Sequence, residues 1–89
     1  MIQEAVERVR QMEQYFDMLQ KVANKKPAVL REDISTKAML DILTRYYEGG
    51  QWLQDYELDE KGLLPEDLKR GVLAQDTLYD FLNWIQHLE

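Results

Sequence analysis

Asp55, Glu57 and Asp59 alternate along the chain, Glu60 follows, and Glu66 stands eleven residues after Asp55. Those are positions one, three, five and twelve of the loop by which EF-hands hold calcium. The register fails at position six, where the sharp turn needs glycine and Glu60 stands. Gly62 comes two residues late, Pro65 occupies position eleven, and there is no second loop of the kind. A solvated acidic loop fits these residues better, its carboxylates pairing with nearby cations, capping helix ends or meeting a partner. No metal or other cofactor is expected.

Other chemistry has less to build on. Ser35 is the only serine and His87 the only histidine, so a hydrolytic triad would need that one pair to meet. A di-iron bundle would want Glu three residues before the histidine, where Trp84 stands. Neither a P-loop nor a GxGxxG pattern occurs. Lys69 and Arg70, ahead of Gly71, could hold an anion. Two cations at a helix end more often satisfy its last carbonyls and the acids just upstream. Tyr46, Tyr47, Trp52, Tyr56, Tyr79 and Trp84 put six of the nine aromatics around the middle connection and the last helix. They read first as core, and second as a ligand pocket or protein hot spot.

The elements that must position these groups are helical. Ile2, Ala5, Val9, Met12, Phe16, Leu19 and Ala23 recur at alternating three- and four-residue steps, which predicts a helix over 2–25. Val6, Tyr15 and Val22 widen its stripe to that of a bundle helix, with a dimerising coiled-coil surface as the second reading. Glu4, Glu7, Arg8, Arg10, Glu13 and Asp17 fall on the other face. Lys26-Pro27 interrupts the helix. A second helix is expected over 28–48, with Leu30, Ile34, Met39, Ile42, Leu43, Tyr46 and Tyr47 on one broad face and a weak point near Ser35, which could instead cap a fresh helix after a single turn over 28–34. Gly49 is expected to end it in a left-handed conformation. Short helical turns are expected over 51–57 and, from Pro65 to Arg70, over 65–70, with Gly71 as the stop. A last helix over 74–88 lines up Leu78, Phe81, Leu82, Ile85 and Leu88. The fold class that follows is all-α, one domain over 1–89. Three long helices form a bundle, an antiparallel hairpin plus the C-terminal helix, with two short turns in the 49–71 connection.

Composition narrows the functions. Eighty-nine residues close only a small core. The absence of cysteine excludes disulfides, thiolate metal sites and a thiol nucleophile. The first residues lack a basic segment followed by an apolar one, and apolar runs stop at three residues, as at Ala38-Met39-Leu40. Neither a signal peptide nor a membrane span is therefore expected, and the expected compartment is the cytoplasm. The net charge of −6 is uneven. Residues 1–47 hold eight basic and seven acidic side chains, whereas residues 48–89 hold three and ten. Direct nucleic-acid binding, which needs clustered Lys and Arg, is not expected.

Tyr46-Tyr47, Trp52, Asp55-Tyr56-Glu57, Gly62, Leu64-Pro65, the run Asp67 to Leu73, Asp76 and Leu78-Tyr79-Asp80 together resemble one family. It is the "domain of unknown function 4298" family of small, mostly Gram-positive bacterial proteins. The resemblance spans nearly the whole chain and is most specific over 62–80. The family more typically has Ser at the position of Ala74, where it would cap the last helix. The resemblance implies a compact helical protein and no catalytic residues. Gly62, Pro65 and Gly71 demand particular backbone geometry, which suits a fixed docking platform or a tight structural corner.

The expected function is a non-enzymatic protein-interaction or regulatory module that docks a basic partner. Its expected contact residues are Trp52, Asp55, Tyr56, Glu57, Asp59, Glu60, Glu66 and Asp67. Gly49, Gly62, Pro65, Lys69, Arg70 and Gly71 are expected to shape the backbone around them. Self-association as a homodimer through the first helix is the alternative, followed by a polyanion mimic or a weak metal-responsive protein.

Overall fold

A computed structural model of the chain describes residues 2–74 and 76–87. Among these, every regular element is helical: α1 (Ile2–Lys25), α2 (Val29–Glu32), α3 (Ile34–Glu48), α4 (Gln51–Glu60), a 3-10 turn over Gly71–Leu73, and α5 (Thr77–Gln86). Four helices thus reach ten residues, rather than three long helices with two short turns.

At 1.5 Å per residue the 24 residues of α1 extend about 36 Å, close to the 39 Å long axis of the molecule. Its apolar stripe is consumed inside the chain: Ala5, Val9, Phe16, Leu19 and Ala23 are all buried. The dimerising surface expected of α1 is therefore already occupied, by α2, α3 and the 3-10 turn. α3 returns alongside α1, so that Tyr46 near its end and Arg8 near the start of α1 meet on one carboxylate.

The helix expected over 28–48 breaks at Asp33. There the backbone is extended (φ −82°, ψ 126°), and the Asp33 carboxylate accepts from the Thr36 amide at 2.8 Å and from the Thr36 hydroxyl at 2.9 Å. Asp33 rather than Ser35 is the cap, since a carboxylate facing the first-turn amides satisfies donors that would otherwise be orphaned. The bond from the Thr36 amide, reinforced by the hydroxyl, holds the Asp33 carboxyl below its usual range. The single broad face expected for Ile34, Ile42 and Leu43 does not hold within α3. Ile34 precedes the buried Leu43 by nine residues, half a turn out of register at 100° per residue. Leu43 and Tyr46 face the core while Ile34 is 85% exposed and Ile42 faces out beside it.

The positive φ expected at Gly49 belongs instead to Gly50, which opens α4 at φ 96°. α4 continues three residues past the expected 57. It ends in a Schellman motif: the Leu63 amide donates to the Leu58 carbonyl, and the amide of Gly62 (φ 72°) to the Asp59 carbonyl. The helix expected over 65–70 is a single turn, closed by the Leu68 amide on the Pro65 carbonyl at 3.2 Å. The Arg70 guanidinium also donates to that carbonyl, holding the segment as an irregular strap. Gly71 therefore begins the 3-10 turn instead of stopping a helix. α5 is shorter than 74–88, starting at Thr77; Gln75, Leu88 and Glu89 lie outside the described residues. Leu78 and Leu82 are buried, and Phe81 meets Phe16 of α1 edge-on at 5.2 Å.

Candidate functional site

The segment singled out in the sequence forms a corner where α1, α3, α4 and the 3-10 turn converge. Asp55, on the inner face of α4, is fully buried. Its Oδ2 accepts from Arg8 Nε at 2.9 Å and from the Tyr46 hydroxyl at 2.7 Å, and Arg8 Nη2 donates to Oδ1. The two-pronged arginine contact is the geometry that best compensates a buried carboxylate. That hydrogen bond raises the Arg8 pKa against the opposing effect of partial burial. Burial first, then the bond to Asp55, pushes the Tyr46 phenol up as well.

Beside this triad, Val72 is fully buried in the 3-10 turn, and both polar groups of its backbone are held by side chains. Its amide donates to Glu13 Oε1 of α1 at 2.8 Å, and its carbonyl accepts from Trp52 Nε1 of α4 at 2.9 Å. The Glu13 carboxylate lies so close to Gly71 that a Cβ there would stand 3.1 Å from Oε2. A side chain at 71 would press on that carboxylate and shift it by a few tenths of an ångström, whereas no unusual φ is involved. On the outer side, Arg70 pairs with Asp59. The rings continue from the corner toward the surface: Trp52 stacks on Tyr56 at 5.0 Å, Tyr47 packs on Trp52 at 5.1 Å, and Tyr79 on Tyr47 at 6.2 Å. Among the described residues, no buried side-chain polar atom lacks a hydrogen-bond partner.

The structure thus divides the expected docking residues. Trp52 and Asp55 point inward and are spent on the corner, so neither offers a partner the accessible group expected of it. Asp59 is largely covered by its pair with Arg70. Tyr56 is half-buried, while Glu57, Glu60, Glu66 and Asp67 are exposed. Helix α4 also places Asp55, Glu57 and Asp59 on a rigid rod rather than along a coordinating loop. Lys69 is exposed and lies 4.0 Å from Asp17.

Sequence reasoning missed Arg8 and Glu13, which it placed on the solvent face of α1. A signal for Glu13 existed: it stands four residues after Val9 and three before Phe16, on the stripe itself. Nothing comparable marks Arg8, whose role depends on which helix packs beside it.

The model of one family, "Domain of unknown function (DUF4298)", matches residues 9–88 and so spans every corner residue named above except Arg8. The chain belongs to that family. No curated protein and no solved structure matches it. Membership of the DUF4298 family carries no activity with it, and what the corner does is set by its own geometry. Its buried groups are mutually satisfied, and it fixes α4 and the strap over 61–70 against α1. None of the described helices is long and apolar enough to cross a membrane.

Proposed function

We propose that the protein is a non-enzymatic interaction module that meets a basic protein surface through the carboxylates its α4 and strap leave in solvent. Glu57, Glu60, Glu66 and Asp67 are exposed and take part in none of the ion pairs among the described residues, and this observation carries the reading. The corner supports it by preorganisation. The Arg8–Asp55–Tyr46 triad and the Val72 clamp hold the segment in one shape, so that little conformational freedom is lost when a partner binds. Exposed carboxylates chiefly steer encounter and set specificity, and their effect is screened by salt.

The test is affinity capture from the native host by the wild-type chain and by a Glu57→Lys, Glu60→Lys, Glu66→Lys, Asp67→Lys variant, at low and moderate salt. Circular dichroism confirms that both are folded. The expected result is a partner retained by the wild type, weakened by salt and lost by the variant. A partner retained equally by both proteins at both salt concentrations overturns the reading.

A further inference from the structure

The opposite end of the molecule presents an apolar face. Ile34 is 85% exposed and Ile42 39%, one helical turn to either side of Ala38 on the outer surface of α3. Ile34 also lines an open groove of about 720 Å³, with Leu30 of α2, Leu40 of α3 and Ile85 of α5 as its apolar walls and Arg31, Lys37 and Asp41 as its charged ones. Two exposed β-branched side chains on one helix face, continuous with an apolar groove, make a patch rather than a scattered residue, and such patches mark interaction surfaces.

Charge decides what covers it. The stretch from residue 48 onward carries ten acids against three bases and repels its own kind. The near-neutral α1–α3 part is where two copies of this chain can approach. On the exposed face of α3 the charges are self-complementary: Lys37 and Asp41 lie four residues apart, flanking the small Ala38. If two α3 helices cross antiparallel about a dyad level with the Ala38–Met39 peptide, Lys37 of each copy comes alongside Asp41 of the other. Ile34 of each copy then reaches toward Ile42 of the other. The small side chain at the crossing lets the backbones approach. The existing Asp41–Arg45 pair is exposed on both sides and leaves the carboxylate free to turn.

We propose that the protein forms a two-fold homodimer through this face of α3. One helix pair and its groove make a contact below the usual 800 Å² per partner, so the dimer is a weak one, with a dissociation constant on the order of micromolar or above. It lies apart from α4 and the strap and leaves the acidic surface free in both copies.

Sedimentation analysis of the full chain across about 10 to 500 µM brackets that range. The expected result is a reversible monomer–dimer equilibrium. Ile34→Asp abolishes it without changing the melting temperature, since the side chain touches little of its own fold. Lys37→Glu and Asp41→Lys each weaken it at least tenfold, and the double swap restores it. A wild-type chain monomeric throughout overturns the proposal, as does a dimer that Ile34→Asp and both charge reversals leave intact. The measurement needs no partner protein, so its outcome is independent of the capture experiment.

Discussion

The two ends of α3 depart from the rule of apolar inside and polar outside in opposite directions. At the C-terminal end, Tyr46 delivers its hydroxyl to a fully buried Asp55, and polar groups from three helices satisfy one another away from water. At the N-terminal end, Ile34 stands almost wholly in solvent. The asymmetry is energetic as well as spatial. A buried polar group is costly only when its partner is removed, whereas an exposed apolar one costs the monomer little whether present or absent. The corner is therefore fragile to single substitutions in proportion to how completely it is satisfied. The outer face of α3 is tolerant, and its substitutions register in assembly instead.

The largest separation between the two ends comes from Asp55→Ala. It strands Arg8 and the Tyr46 hydroxyl, and urea denaturation should show a loss of about 3 kcal/mol, the low end for a broken buried pair because Arg8 is partly exposed. Glu13→Ala should cost about 2 kcal/mol by leaving the buried Val72 amide without an acceptor, read in the same way. A cost near zero for either would mean that the corner is no more committed to its polar contacts than the outer face of α3.

Tyr46→Phe comes next, at about 1 kcal/mol for one hydrogen bond to a carboxylate that keeps its arginine. The tyrosine also gives the corner a pH signature. Its folded pKa is raised, so its contribution is fully present below the unfolded value of about 10 and declines as the pH climbs through the folded one. Titration of the chain by phenolate absorbance should therefore leave one tyrosine un-ionised until the fold melts, and Tyr46→Phe should remove that late step. At the other end, Ile34→Ala should change stability by less than about 0.5 kcal/mol. A larger loss in a monomeric sample would dissolve the contrast.

How far the sequence discloses this arrangement varies with how locally each feature is determined. α1 is legible to the residue because three heptads of apolar spacing repeat without interruption. α4 is misread as ending at 57 because Leu58-Asp59-Glu60 has the composition of an acidic loop. The helix continues because Gly62 closes it with two backbone bonds that composition does not advertise. The break at Asp33 is a contest between two capping residues two positions apart, decided by Thr36 offering the aspartate both an amide and a hydroxyl. The acidic segment is found by its charge, but the inward turn of Asp55 depends on Arg8, 47 residues away. Asp55, Glu57, Asp59 and Glu60 look alike in the sequence. Only tertiary packing separates Asp55, which holds the fold, from Glu57 and Glu60, which face water.

The clamp on Val72 carries a kinetic consequence. Its amide is held by a residue of α1 59 positions away and its carbonyl by one of α4 20 positions away, so the clamp is complete only once the turn has docked on both helices. The amide cannot open by local fraying of a three-residue turn. Its proton should exchange with solvent deuterium only through an opening that lifts the turn off α1, a larger event than fraying of the turn itself. A single amide in a three-residue turn then reports how firmly that turn stays docked on the helix formed by residues 2–25.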